Sequence, residues 1–125
     1  MLATIDIFSS FSTNKLLESF HFYHEVLGLD AKLKSDRFLH IYSPSGQPIV
    51  IYQKEDHVPS RSTVLNFQID NILEKVKFLQ KQGICFLQYD PPIQTDSHGI
   101  SWDEDGSHLA WFKDPGQNIL ALIEN

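Results

Sequence analysis

Six histidines and a short acidic run are the residues of this sequence best suited to chemistry. Neutral imidazole and carboxylate groups bind divalent metals, and imidazole also exchanges protons near neutral pH. His57, His98 and Asp103 could come together through folding, but their spacing matches no recurring ligand motif. His21 and His24 lie in a segment with helical periodicity, where a structural role is the simpler interpretation. The catalytic residues, if the chain has any, are therefore not identified by a motif.

Composition describes an ordinary globular chain. It has 125 residues, of which 42% are hydrophobic and 21% charged, with a net charge of −6. Cys85 is the only cysteine, no apolar run is as long as a membrane span, and no basic segment precedes an apolar one at the N-terminus. Because the clusters of charge are acidic, a phosphate backbone is a poor partner. We expect a single-domain cytoplasmic protein without a disulfide, and with neither a nucleic acid nor a membrane as partner.

Two segments have the periodicity of helices that must position these residues. The first places Leu16, Phe20, Tyr23 and Leu27 on one side and ends before Gly28. In the second, the expected apolar face consists of Leu73, Val76, Phe78 and Leu79, Asn71 and Glu74 form a capping-box-like start, and Gly83 follows the last turn. Runs typical of strands lie around the helices, at residues 3–11, 38–42, 48–53, 64–69, 84–88, 109–113 and 119–123. The order is strand, helix and several strands, and then the same again.

The two halves also match residue by residue. Residues 17–22 resemble residues 73–78, and the same offset places Phe8 over Val64. The hairpin sequence at 43–49 resembles that at 114–119, with one residue fewer in the second copy, so that Ile49 falls over Ile119. Three landmarks in the same order favour an internal repeat. Between them, residues 90–107 form a long aperiodic segment, either a functional lid or a loose insertion.

Three stretches together carry a recognisable family pattern. They are Phe22-Tyr23-His24-Glu25-Val26-Leu27-Gly28-Leu29, the helix opened by Asp70 and ended at Gly83, and Ala110-Trp111-Phe112-Lys113-Asp114-Pro115-Gly116-Gln117-Asn118. In this order they resemble the vicinal oxygen chelate (glyoxalase/bleomycin-resistance/dioxygenase) superfamily over essentially the whole chain. The resemblance implies an α+β fold of two βαβββ modules, about 1–58 and about 59–125, in which an open, curved mixed sheet surrounds a cavity. Gln117 stands where the family has a glycine, a departure expected to change the turn type and not the fold.

The resemblance also implies where a metal would be bound. Enzymes of the superfamily hold a divalent ion through His and Glu side chains at one first-strand and one last-strand position of each module. In this sequence those positions carry Phe8, Ile51, Val64 and Ala121, none of which can bind a metal, and their neighbours Ile7, Val50, Leu65 and Leu122 are also apolar. We therefore expect no metal and no other cofactor.

A cavity lining follows from the same map and from strand alternation. The repeat pairs His40 with Trp111, at a position that points into the cavity in related proteins, and Ser10 and Asn66 lie two residues beyond Phe8 and Val64. The expected ligand-binding residues are Phe8, Ser10, Phe38, His40, Ile51, Val64, Asn66, Leu109, Trp111 and Ala121. A mainly apolar lining with a few polar groups is typical of organic-ligand pockets, although the same side chains could simply fill a barrel.

Three functions fit this sequence. The first is a metal-free protein that binds a small aromatic or amphipathic molecule, as bleomycin-resistance relatives do. The second is a glyoxalase- or dioxygenase-type enzyme, a lyase or oxidoreductase with a non-standard metal site or with chemistry supplied by His40 and the acidic loop. The third is a structural or regulatory dimer. We expect a homodimer in each case, because a curved open sheet leaves apolar surface and strand edges for a symmetric partner to cover.

Overall fold

The same succession of strand, helix and three strands occurs twice along the chain. The computed structural model describes residues 1–125, and none of its helices combines the length and apolar character that a membrane crossing requires. The chain divides into two compact units, Met1–Val58 (module one) and Pro59–Asn125 (module two). The α+β class and the two-module organisation expected from the sequence are confirmed.

Module one contains a four-stranded sheet in the order β1-β4-β3-β2, in which only the β1–β4 pair is parallel. A helix follows β1 and contacts the other three strands, and its last part is wound as a π-helix. The elements are β1 (Ser10–Thr13), α1 (Leu16–His21) with the π-helix Phe22–Val26, β2 (Asp30–Leu33), β3 (Phe38–Tyr42) and β4 (Pro48–Gln53).

Module two repeats this arrangement with the strand order β5-β8-β7-β6, and only β5 and β8 are parallel. Its helix contacts β7 and β8 through a face on which Ile72, Val76 and Leu79 are buried. The elements are β5 (Thr63–Gln68), α2 (Ile72–Lys81), β6 (Ile100–Trp102), β7 (His108–Lys113) and β8 (Ile119–Glu124).

The first predicted strand is displaced in the structure. Residues 3–11 were expected to be extended, but Leu2–Thr4 forms a 3₁₀ turn and the strand runs from Ser10 to Thr13. The parallel register, which sets Ser10 beside Val50, would bring Phe8 beside Pro48. Because proline has no N–H to donate, the ladder cannot extend further toward the N-terminus. Phe8 therefore precedes the strand, and its side chain is 58% exposed.

The strand predicted at residues 84–88 is also wrong, and β2 and β6 were not predicted. The segment 84–88 runs beside β7, but it forms only one hydrogen bond with it, from the Leu87 N–H to the Trp111 carbonyl at 2.8 Å. The two segments use different parts of this strand edge, since β6 pairs with His108, Leu109 and Ala110, and residues 84–88 lie beside Trp111. The sheet is completed by a strand from the long segment 90–107 instead.

The buried face of helix α2 agrees with the predicted one in part. Val76 and Leu79 are buried as predicted, but the third buried residue is Ile72, whereas Leu73 and Phe78 are exposed. The predicted capping box is absent as well. Both oxygens of Glu124, at the end of β8, accept hydrogen bonds from the first helix N–H groups, those of Asn71 at 3.0 Å and Ile72 at 3.2 Å.

Candidate functional site

A cavity of about 690 Å³ lies within module two, between the long segment and the sheet. One wall is the loop at residues 92–96, and the other is formed by β6, the two residues after it, and β7. The lining residues outside that loop are Ser101, Trp102, Asp103, Glu104, Leu109 and Trp111. A volume of several hundred Å³ bounded by aromatic and a few polar groups is the size and make-up of a small-molecule site.

Asp96 holds this wall in shape. One carboxylate oxygen accepts the backbone N–H groups of His98 at 2.8 Å and Ile100 at 3.0 Å, and the other accepts the indole N–H of Trp102 at 2.8 Å. Burial raises the pKa of this carboxyl, but the hydrogen bonds from Trp102, Ile100 and His98 outweigh it and leave the pKa below the ordinary value. Asp96 is therefore an ionised structural anchor at neutral pH.

Further hydrogen bonds close the segment onto its surroundings. The Ser101 hydroxyl donates to the Ile93 carbonyl at 2.8 Å, and the Thr95 hydroxyl donates to the Gln88 side-chain oxygen at 2.7 Å while it accepts the Tyr89 N–H at 2.9 Å. Together with the strand β6, these bonds show that residues 90–107 are not a loose insertion. The wall of the cavity is a built part of the module.

Two indole rings form the aromatic part of the lining. Trp102 is 52% exposed, and its ring lies against His108 with the ring centres 4.4 Å apart. Trp111, on β7, meets the ring of Tyr89 edge-on at 5.2 Å. Because each indole already contacts a neighbouring ring, both present their remaining surface in fixed orientations, at little entropic cost on binding.

The charged groups of the lining all have the same sign. They are Asp96, Asp103 and Glu104, and neither Lys nor Arg is among the lining residues. The ion pairs of the chain lie elsewhere, between His21 and Glu25, Lys54 and Asp56, and Lys75 and Asp70. The side chains of Asp103 and Glu104 are thus exposed carboxylates without an internal counter-charge.

The structure places four of the five predicted lining residues of module two together on one face of the sheet. Asn66, Ala121 and Trp111 are neighbours across β5, β8 and β7, and cross-strand neighbours point to the same side. Leu109 lies two residues from Trp111 on the same face of β7, whereas Val64 lies at the register shift between Thr63 and Leu65, where the alternation of β5 is interrupted. Leu109 and Trp111 line the cavity. Trp102, Asp103 and Glu104 were not predicted, although a tryptophan beside an acidic run in a long segment was a signal for them.

In module one the structure corrects two of the predicted residues, Phe8, which precedes β1, and Ile51. Ser10, Val50 and His40 are cross-strand neighbours on one face, and Phe38 lies two residues from His40 on the same face. Ile51 instead pairs with Leu39 on the opposite face, and both are 0% exposed. Ile51 was misplaced because the sequence comparison made the second hairpin connection one residue shorter than the first. In the structure the two connections, residues 43–47 and 114–118, both have five residues. A one-residue slip reverses the face, so Val50 is the equivalent of Ala121.

The histidines form no metal site in the structure. No group of three or more His, Cys, Asp or Glu side chains that could hold an ion is present, so His57, His98 and Asp103 do not assemble one. His57 belongs to module one, where its Nδ1 atom lies 2.6 Å from the Ser12 hydroxyl. His40 contacts Tyr42, its Nδ1 atom 3.4 Å from the phenol oxygen.

Comparison with solved structures identifies the fold. The chain superimposes on lactoylglutathione lyase from Agrobacterium tumefaciens with a TM-score of 0.72 and 14% identity, over 98% of this chain and 94% of that one. A putative glyoxalase family protein from Bacillus anthracis gives 0.72 and 19%, over 100% and 99%. A glyoxalase/bleomycin resistance protein/dioxygenase superfamily member from Sphaerobacter thermophilus gives 0.70 and 20%, over 97% and 98%. Neither a protein-family model nor a curated protein matches the sequence. The chain therefore has the glyoxalase/bleomycin-resistance/dioxygenase fold that the sequence landmarks predict, and this fold alone does not define an activity.

Proposed function

We propose that this protein binds a small aromatic or amphipathic molecule in the cavity of module two. The observation that carries the proposal is the cavity itself, about 690 Å³ in volume and lined by Trp102 and Trp111 together with carboxylates. Flat indole surfaces bind an apolar ring by burial and stacking, and the polar rim orients the hydrophilic end of the ligand. The hydrogen bonds of Asp96 support this assignment, because they hold the cavity wall in place before a ligand arrives.

The test is a thermal-shift screen of hydrophobic metabolites and antibiotics on the wild type and on Trp111→Ala. A ligand at about 100 times its dissociation constant stabilises the folded state by about 2.7 kcal/mol. We expect hits to raise the wild-type midpoint and to raise that of Trp111→Ala much less. Phe78→Ala is the matched control, since Phe78 is an exposed aromatic residue of the same module on α2, outside the cavity lining. Hits that stabilise all three proteins equally would contradict the proposal.

We propose further that binding requires no metal. The positions that the sequence repeat assigns to the superfamily's ion site carry Phe8, Val64 and Ala121, and the corrected fourth position carries Val50. Of these residues, Phe8 lies ahead of β1. Hydrocarbon side chains do not fit a metal, because they offer no lone pair to it. Elemental analysis of untagged protein should find less than stoichiometric Zn, Ni, Mn or Fe. About one metal per chain that only strong chelators remove would overturn this part of the proposal and favour the metalloenzyme alternative.

A further inference from the structure

We infer that the ligand of the module-two cavity is an organic cation, an amine or quaternary ammonium group carried on an apolar or aromatic body. This inference rests on the proposed function, because it concerns the same cavity. Its starting point is the charge of the lining. Asp96, Asp103 and Glu104 all face this space, and no Lys or Arg side chain shares the lining with them.

The carboxylates differ in what they can do. Asp96 is committed to three N–H groups of its own segment. Asp103 and Glu104 take part in none of the ion pairs of the chain, and their side chains are exposed. A cation that enters the cavity therefore meets two carboxylates without having to break an existing ion pair. An anion of the same shape meets uncompensated repulsion.

The indole rings favour the same charge. The face of an indole carries negative electrostatic potential and attracts a cation within about 6 Å of its centre. Trp102 is held by the bond from its Nε1 atom to Asp96 and by its contact with His108, and Trp111 by its contact with Tyr89. Two restrained indoles beside carboxylates that make no ion pair form a site for a bulky, weakly hydrated cation. The rings give such a cation an apolar contact area, which a bare metal ion cannot use.

The experiment uses three ligands with one ring system and different charge, namely 1-naphthylmethylammonium, 1-naphthylmethanol and 1-naphthoate. Each is titrated into the full-length protein by calorimetry, with the two indole N–H resonances followed by NMR. We expect the ammonium compound to bind about tenfold more tightly than the alcohol, and the carboxylate to bind most weakly. The preference for the ammonium compound should shrink as salt rises from about 0.05 to about 0.5 M.

Charge-removing variants locate the source of this preference. In Asp103→Asn/Glu104→Gln, both changes keep side-chain shape, and we expect the ammonium preference to fall to within about threefold while the alcohol binds as before. Glu18→Gln/Glu74→Gln is the matched control, because it changes the net charge equally at exposed helix positions outside the lining. The control should keep the full preference.

The outcomes separate this inference from the proposed function. If all three ligands bind equally and Trp111→Ala weakens each of them, the cavity binds small molecules but selects no cation, and only this inference is overturned. A preference that survives in Asp103→Asn/Glu104→Gln overturns it too, since the carboxylates are then not its source. If none of the three binds at about 1 mM, both proposals are contradicted for compounds of this size.

Discussion

Residues 46 and 117 occupy the same place in two hairpin turns and differ in type. Each turn is closed by a backbone hydrogen bond, from Gly46 N–H to Ser43 at 3.0 Å and from Gln117 N–H to Asp114 at 2.9 Å. Both residues adopt a positive φ, 97° at Gly46 and 68° at Gln117. In the second turn the residue with left-handed backbone is therefore Gln117, and not the neighbouring Gly116. A side chain there costs about 1 kcal/mol through the contact of Cβ with the backbone.

Gln117→Gly should therefore stabilise the protein. Relief of the left-handed strain, less the extra freedom of glycine in the unfolded chain, leaves a gain of up to about 1 kcal/mol, or a rise of about 4 °C in the melting temperature. Calorimetry measures it. The reverse change in module one, Gly46→Gln, is the internal control and should lower the melting temperature, since no atom lies within 4 Å of a Cβ at Gly46 and only the backbone strain acts. A destabilised Gln117→Gly would mean that the glutamine side chain makes a contact worth more than the strain.

Gly99 should be far less tolerant of a side chain than Gly106. Both have a positive φ, 83° and 93°, but a Cβ on Gly99 would lie 2.7 Å from the Cβ of Phe86, whereas one on Gly106 meets open space. Gly106→Ala should cost about 1 kcal/mol from strain alone. We expect Gly99→Ala to cost about 1–3 kcal/mol more, because the segment 84–88 must move away from the long segment. Urea unfolding of both variants gives the difference, and equal costs would show that the segment yields freely.

At this scale the sequence predicted positions better than it predicted contacts. The pairing of His40 with Trp111 and of Ser10 with Asn66 agrees with the registers, because strand alternation and the repeat both act over short distances. The face of Ile51 was predicted wrongly because the length of one hairpin turn was misjudged by a single residue, and sequence periodicity does not reveal turn length. Trp102 could not be placed at all, since its position depends on a hydrogen bond to Asp96 within an aperiodic segment.

Among the elements, the segment 90–107 depends most on one charge. The pKa of Asp96 is lower in the folded chain than its ordinary value of 3.8, because the three N–H donors outweigh burial. A carboxyl with a lowered folded pKa contributes stability that is complete above the ordinary value and is lost as the pH falls through the folded one. The cavity wall should therefore loosen in acid, below about pH 4.

Asp96→Asn should lose this contribution at neutral pH. We expect a cost of about 1 kcal/mol, the lower end for hydrogen bonds to a charged group because the carboxyl is partly solvated, and a difference from wild type that shrinks as the pH falls below the ordinary pKa of 3.8. Urea unfolding between about pH 7 and pH 2 measures the difference. Exchange of the Trp102 indole N–H, assigned with Trp102→Phe, should become faster in the variant. Asp90→Asn is the control, since the exposed side chain of Asp90 makes no ion pair in the structure. A cost that stays constant with pH would show that the charge of Asp96 is not the cause.

The boundaries of an element were predicted well where its own residues set them, and poorly where a contact with a residue distant in the sequence sets them. Strands 38–42 and 48–53 were predicted with the limits that the structure has, because each is a short run rich in aromatic and β-branched residues and a proline begins the second. The start of α2 was assigned to its own Asn71 and Glu74, but the cap comes from Glu124 at the end of β8. The pairing of β6 with residues 108–110 of β7, while residues 84–88 bond to the next residue, Trp111, is likewise a tertiary arrangement that local propensity cannot reveal.

For the molecule as a whole, exposed apolar side chains are concentrated ahead of the first strand. Ile7 is 82% and Phe8 58% exposed, and Leu2 and Ile5 are exposed as well. The strand that follows them, β1, is an edge of its sheet. Apolar side chains next to an open strand edge are an association surface, because both the hydrophobic area and the unpaired backbone groups gain from a partner.

We therefore predict a homodimer that depends on this segment. Light scattering at micromolar concentration should give about twice the mass of the 14.4 kDa chain. Ile7→Ser/Phe8→Ser removes two large apolar side chains from the surface and should shift the equilibrium toward monomer by about 2–4 kcal/mol, or a factor of about 30 to 1000 in dissociation constant. Leu17→Ser/Phe78→Ser is the matched control, with one exposed leucine and one exposed phenylalanine on the two helices, and it should remain dimeric. A wild-type monomer would contradict the dimer itself. If the double variant Ile7→Ser/Phe8→Ser dimerises as tightly as wild type, the interface lies elsewhere, because the removal of two apolar side chains from an interface that buries them weakens binding.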